Sequence, residues 1–124
     1  MERYNKNLAI RKDNAKHYCE LLESDKISFT KYRDDSSYFL FQIILDDSIS
    51  RDNVITKLKN NDIGFSIHYA TPVPLMSYYR NKYGYQAKDF PNALRDGNHS
   101  ISLPVHAQIS YNDIERISSL LLNI

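Results

Sequence analysis

The residues best suited to chemistry lie between His68 and Tyr85. This stretch holds one histidine, the prolines Pro72 and Pro74, the cations Arg80 and Lys82, and five of the ten tyrosines. A phenol that leaves water must find a hydrogen-bond partner, so a core seldom concentrates tyrosines in this way. A proline-braced loop that presents rings with polar tips suits a polar, ring-shaped ligand or a partner surface. It equally suits a surface loop whose rings pack flat and keep their hydroxyls wet. At the loop's entrance, His68 can donate from both ring nitrogens to an anionic or hydroxylated ligand, or can simply close the preceding strand.

Elsewhere the chemistry is sparse. His17, His68, His99 and His106 share no metal-ligand interval with one another or with Cys19, so no structural zinc site is expected. Gly64, Gly84 and Gly97 stand alone and make no phosphate loop. No serine has the context of a nucleophile elbow. The doublets Asp34-Asp35 and Asp46-Asp47 flank a strand, and adjacent strand residues face opposite ways, so neither doublet is a ready acid/base pair. Nothing here makes a self-sufficient active site.

The elements that must position these residues follow from periodicity. A helix is expected from about Glu2 to Ser24, with Tyr4, Leu8, Ala15, Tyr18, Cys19 and Leu22 on its apolar stripe. Cys19 on that stripe reads as a small core hydrophobe. After a turn at Asp34-Asp35-Ser36-Ser37, Tyr38–Leu45 reads as a central strand covered on both faces. Ser50 caps a short helix, Arg51–Asn60, closed by Asn61-Asp62. Ile63–Ile67 reads as a strand that leads into the tyrosine loop. Gln86–His99 is expected to be a polar connection with a turn at Asp96-Gly97-Asn98. Ser100–Val105 alternates like a short strand stopped by Pro104. Ser110, with Asp113 three residues on, caps a final helix whose Ile114, Ile117, Leu120, Leu121 and Ile124 face the core. The sum is one α+β domain of two layers.

Composition bounds the partners. Sixteen basic and fifteen acidic residues give a formal net charge of +1, which draws the chain to neither nucleic acid nor an anionic membrane. The single cysteine suits a reducing compartment, and no run approaches membrane-spanning length, so a cytoplasmic protein is expected.

The order of motifs resembles the C-terminal small domain of the DegT/DnrJ/StrS family, pyridoxal-phosphate-dependent aminotransferases of nucleotide-linked keto-sugars. Arg11, Asn14-Ala15 and Tyr18 are similar to one family helix. Leu58–Gly64 followed by His68-Tyr69 resembles its helix, turn and His-Tyr strand end. Pro72–Tyr85, Phe90-Pro91 and Ser100–Pro104 resemble its proline and tyrosine loop, its Phe-Pro pair and its Ser-Leu-Pro strand. The sequence departs from the family at Phe39, where histidine is usual, at Asp62, where glycine is common, and at Leu94, where glutamate is common.

The resemblance implies the small domain of a fold-type I aminotransferase, with a short, mostly antiparallel sheet on helices. Residues 1–124 would be that single domain, entered inside the long interdomain helix, with the large cofactor-binding domain absent from the sequence. It implies a homodimer when intact, a nucleotide-sugar substrate, and His68, Tyr69, Tyr78 and Tyr79 as substrate-side contacts. It assigns no catalytic, metal or cofactor-binding residue here, since pyridoxal phosphate belongs to the large domain, in cis or in trans. The chain alone is then expected to be inactive. The alternative is a stand-alone binding module that uses the His68–Tyr85 loop.

Overall fold

The computed structural model describes residues 3–124, so Glu2, the expected helix start, lies outside the described residues. Among the described residues, five α-helices accompany one three-stranded sheet. They run in the order α1 (Tyr4–Leu21), β1 (Ile27–Phe29), β2 (Phe41–Leu45), α2 (Arg51–Asn60), α3 (Ser77–Tyr83), α4 (Pro91–His99), β3 (Ser100–Leu103) and α5 (Tyr111–Leu122). The α+β expectation holds. The sheet is antiparallel with β2 in the middle.

The strand register divides the sheet into an apolar and a polar face. Ile27 pairs with Leu45, Phe29 and Ile101 flank Ile43, and Phe41 pairs with Leu103. Directly paired residues point the same way, so these seven side chains form one apolar face. They share a cluster with Tyr18, Val54, Leu58, Ile114, Ile117 and Leu121 from the helices. Tyr18 of α1 stacks on Phe41 at 5.0 Å between ring centroids. Each such burial contributes about 1.5–3 kcal/mol before chain entropy opposes it. The other face carries Ser28, Gln42, Ile44, Ser100 and Ser102, and the candidate site is built on it.

Helices α2 and α5 form where their caps direct. The Ser50 hydroxyl accepts from the Asn53 N–H, and Ser110 and Asp113 make a reciprocal capping box. Asp62, just past α2, takes a left-handed φ of 55°, a position that glycine fills without strain.

Several expectations are corrected. Ile63–Ile67 is not a strand: its one ladder contact is a bridge between Ser66 and Ser102. The central strand begins at Phe41, because Tyr38 turns left-handed (φ 42°) and its hydroxyl accepts from the Arg33 N–H at 2.7 Å. That turn swings Phe39 into solvent. Residues expected as loop contain α3, ended by Gly84 at φ 72°, and α4, opened by Pro91. Asp96-Gly97-Asn98 is inside α4, not a turn. On α1, Tyr4 is exposed and Leu8 half-exposed, while the polar Asn14 is buried. The short edge strand β1 has no counterpart in the periodicity reading.

Candidate functional site

Gln42 and Ser102 are paired across β2 and β3 on the polar face, and both hold His68. Gln42 Nε2 donates to the His68 carbonyl at 3.0 Å, and Ser102 Oγ lies 2.9 Å from His68 Nδ1. One residue pair back, the Ser66 and Ser102 backbones exchange two hydrogen bonds of 3.0 and 2.8 Å. The chain entering the tyrosine segment is therefore fastened at Ser66 and again at His68. Beside it opens a cleft of about 380 Å³ whose walls include Phe39, Phe65, His68, Ser102 and His106. All four residues of β3 are buried rather than alternately so, because the Ser66–His68 segment covers the serine side.

Beyond His68 the backbone is pressed against α4. A Cβ at Gly97 would lie 3.2 Å from the Ala70 oxygen, 3.2 Å from Pro72 Cδ and 3.3 Å from the Tyr69 oxygen. Only a residue without a side chain lets helix and segment approach this closely. The Arg51 guanidinium donates to the Gly97 carbonyl and ties α2 to the same point. Arg95 Nε reaches Asp47 at 2.9 Å, with His99 Nδ1 3.5 Å from the same carboxylate, which secures α4 beside the end of β2.

The tyrosines continue as an arm. None of the residues of α3, or of the short turns Val73–Leu75 and Ala87–Asp89, is buried. The arm instead packs on itself through a ladder of rings, Tyr78 on Tyr79, Tyr79 on Tyr83, Tyr83 on Tyr85 and Tyr85 on Phe90, at 5.1 to 6.4 Å. Lys82 Nζ sits 5.4 and 5.3 Å from the Tyr78 and Tyr83 rings. Of the four expected contacts, His68 lines the cleft and its ring meets Tyr69 edge-on at 5.4 Å. Tyr69 is 71% exposed and lies outside the cleft wall, as do Tyr78 and Tyr79 on the arm. The structure thus places two aromatic pairs, with only His68 at the cleft.

The cleft floor is fixed from the opposite side by α1. Pro104 ends β3, and the carbonyls that follow have lost their ladder partners. Asn14 Nδ2 donates to the Val105 and His106 carbonyls at 3.3 and 3.2 Å, and Tyr18 donates to the Pro104 carbonyl at 3.0 Å. Burial, with the negative Asp113 nearby, pushes the Tyr18 hydroxyl well above the ordinary tyrosine range. Cys19 is half-buried on the same helix, and burial raises its thiol too, which disfavours the nucleophilic thiolate.

Asn14, Gln42 and Ser102 are the positioning residues that pattern reading missed. A polar residue on an apolar helix stripe, and serines alternating with Ile and Leu before a proline, were the signals available.

The cofactor implied by the resemblance would need a lysine amine turned into a cleft, an acid for its ring nitrogen and a cradle for its phosphate. No lysine lines the His68 cleft, and none among the described residues is buried. Lys12, Lys26 and Lys57 reach out to the carbonyls of Asp34, Ile124 and Asn123. The described residues do not fit that group by themselves.

Comparison with known proteins bears on this geometry. The model of the DegT/DnrJ/EryC1/StrS aminotransferase family matches residues 1–122. Over 70 residues the chain is 36% identical to the spore coat polysaccharide biosynthesis protein SpsC of Bacillus subtilis (strain 168), covering 56% of this chain and 18% of that protein. Over 135 residues it is 27% identical to the UDP-4-amino-4-deoxy-L-arabinose–oxoglutarate aminotransferase of Shewanella sediminis (strain HAW-EB3), covering 100% of this chain and 34% of that one. The fold matches Helicobacter pylori PseC, an aminotransferase involved in pseudoaminic acid biosynthesis, with a TM-score of 0.83. Identity to PseC is 19%, and the chain covers 98% of itself and 33% of PseC, so this likeness speaks for the fold. The chain spans about a third or less of the length of these proteins. With a family match running almost end to end, the chain belongs to the DegT/DnrJ/EryC1/StrS aminotransferase family.

Proposed function

We propose that residues 1–124 form the C-terminal small domain of a sugar aminotransferase and supply the substrate-side wall of its site. In the complete assembly, pyridoxal phosphate held by a large domain, in cis or in trans, supplies the electron sink for moving an amino group from a donor such as glutamate to a nucleotide-linked keto-sugar. This chain's own contribution is to bind, orient and exclude water. His68 contacts the sugar, Tyr69 flanks it, and the arm bearing Tyr78 and Tyr79 closes beside it. The chain alone is inactive, the intact enzyme is a homodimer, and both work in the cytoplasm.

One observation carries this reading. His68 is fastened at its carbonyl and at Nδ1, yet stands on a cleft wall beside an aromatic arm without a buried residue. A strand-closing core histidine would not leave its outer edge on an open cleft.

The test is amino transfer from glutamate to a UDP-linked 4-keto-sugar, assayed with this chain alone and with a large domain added. Activity is expected only in the second case. His68→Ala should then lower turnover by roughly five- to 150-fold, the scale of one hydrogen bond of about 1–3 kcal/mol. A lower melting temperature with unchanged kinetics would remove His68 from the site.

A further inference from the structure

We infer that Ser102 is a positioning residue that keeps the His68 imidazole proton on Nε2. The cleft wall is then a hydrogen-bond donor matched to an oxygen of the ligand (hydroxyl, carbonyl or phosphate) and not to a cationic amine. This rests on the reading of His68 as a ligand contact given above.

Ser102 is 4% exposed. Its N–H and carbonyl are both committed to Ser66. Among the described residues, its hydroxyl has one partner, His68 Nδ1 at 2.9 Å. A hydroxyl carries one proton and two lone pairs, and a neutral imidazole carries one N–H and one bare nitrogen. If Nδ1 held the ring proton, the serine proton would have no acceptor among the described residues and only cleft solvent to turn to, the less favourable case for a mostly buried polar group. The other arrangement leaves nothing stranded: Ser102 Oγ–H donates to Nδ1, and the ring proton resides on Nε2.

The position of Nε2 gives this a consequence. Nε2 has no partner within the described chain and is not among the sealed, unpaired buried atoms. No carboxylate of the described residues forms an ion pair with His68. Gln42 holds the backbone carbonyl at 3.0 Å, so the ring cannot swing by moving the main chain. His106, the other histidine of the cleft, has its Nδ1 facing the Gln108 N–H at 3.3 Å. The Nε2–H of His68 is therefore free for an acceptor that enters the cleft.

Long-range proton–nitrogen NMR on the purified 124-residue chain, above the pH range in which imidazoles are protonated, tests this directly. His68→Gln assigns the signals by deleting them. The wild-type chain should show a protonated Nε2 and a bare Nδ1 that is hydrogen-bonded. In Ser102→Ala the Nδ1 resonance should move toward that of an unbonded ring nitrogen, while Ser102→Thr, which keeps the hydroxyl, should hold the wild-type pattern. A protonated Nδ1 in the wild type would overturn the inference even if Ser102→Ala failed to fold. So would nitrogen resonances unchanged in a folded Ser102→Ala. The measurement needs no ligand, so its failure is separable from a failure of the His68→Ala assay.

Discussion

Asn14→Ala is the most revealing stability experiment. Asn14 is 2% exposed in the middle of α1, and both of its neighbours are carbonyls, which only accept. Its amide nitrogen must therefore face Val105 and His106. Truncation removes one donor group and leaves the Val105 carbonyl without a partner, while the His106 carbonyl keeps the Ile109 N–H at 3.1 Å. An unpaired buried polar group costs about 1–3 kcal/mol. With the His106 carbonyl still bonded, the gross loss is about 2–3 kcal/mol. Alanine returns about 0.7 kcal/mol in helix propensity, so the net loss is about 1.3–2.3 kcal/mol. With an unfolding entropy of about 2.1 cal/mol/K per residue, each kcal/mol lowers the melting temperature of a chain this long by about 4 °C. A fall of about 5–9 °C in a circular-dichroism melt is expected, with a matching shift of the urea midpoint. Asn14→Asp sharpens the test, because it keeps the shape but turns an acceptor-only carboxylate on two carbonyls. It should be less stable than Asn14→Ala at neutral pH and recover part of the difference on acidification, when the carboxyl gains a proton to donate. An Asn14→Ala variant within about 0.5 kcal/mol of wild type, or an Asn14→Asp variant no worse than it, would refute the account.

Tyr18→Phe loses the bond to Pro104 and should cost about 1 kcal/mol. Because the folded-state pKa of Tyr18 is raised, its contribution is complete below the ordinary tyrosine pKa and lost as pH rises above it. The alkaline fall in stability should therefore be shallower in Tyr18→Phe, and equal alkaline limbs would sink that assignment. Asp113 behaves oppositely. The Ser110 hydroxyl and N–H hold its carboxyl below the usual range, so its contribution is present above that range and lost as pH falls through the lowered value. Asp113→Asn should flatten the acid limb of the stability profile, and Ser110→Ala should cost about 1 kcal/mol at neutral pH. Gly97→Ala gains about 1 kcal/mol of helix propensity but must displace the Tyr69–Pro72 backbone by a few tenths of an ångström. Its melting temperature should change little while the His68 and Tyr69 NMR signals move, and unmoved signals would argue against the close approach as the reason for glycine.

Local chemistry alone determined much of this protein. The hydroxyl caps of Ser50 and Ser110 settle where α2 and α5 begin, because an orphan N–H is satisfied or wasted within three residues of the cap. The apolar run ending at Leu45 reads as a central strand, and Pro104 as the end of one. The collinear motifs from Arg11 to Pro104 pointed to the family, since they spread over the whole chain. Tertiary structure decided the rest, wherever two distant segments compete for the same groups. Ile63–Ile67 has the composition of a strand, yet only Ser66 finds a ladder partner, because β3 is four residues long and the chain must bend to seat His68. Asp96-Gly97-Asn98 has the composition of a turn, yet it continues α4, since Gly97 is needed for contact with the Tyr69–Pro72 backbone rather than for a left-handed bend. Asn14 looks like a flaw in an apolar stripe until the carbonyls beyond Pro104 arrive beside it. The grip of Gln42 and Ser102 on His68 spans sequence separations of 26 and 34 residues. It exists because antiparallel register places both side chains on one face, and periodicity within a single segment carries no information about register between two.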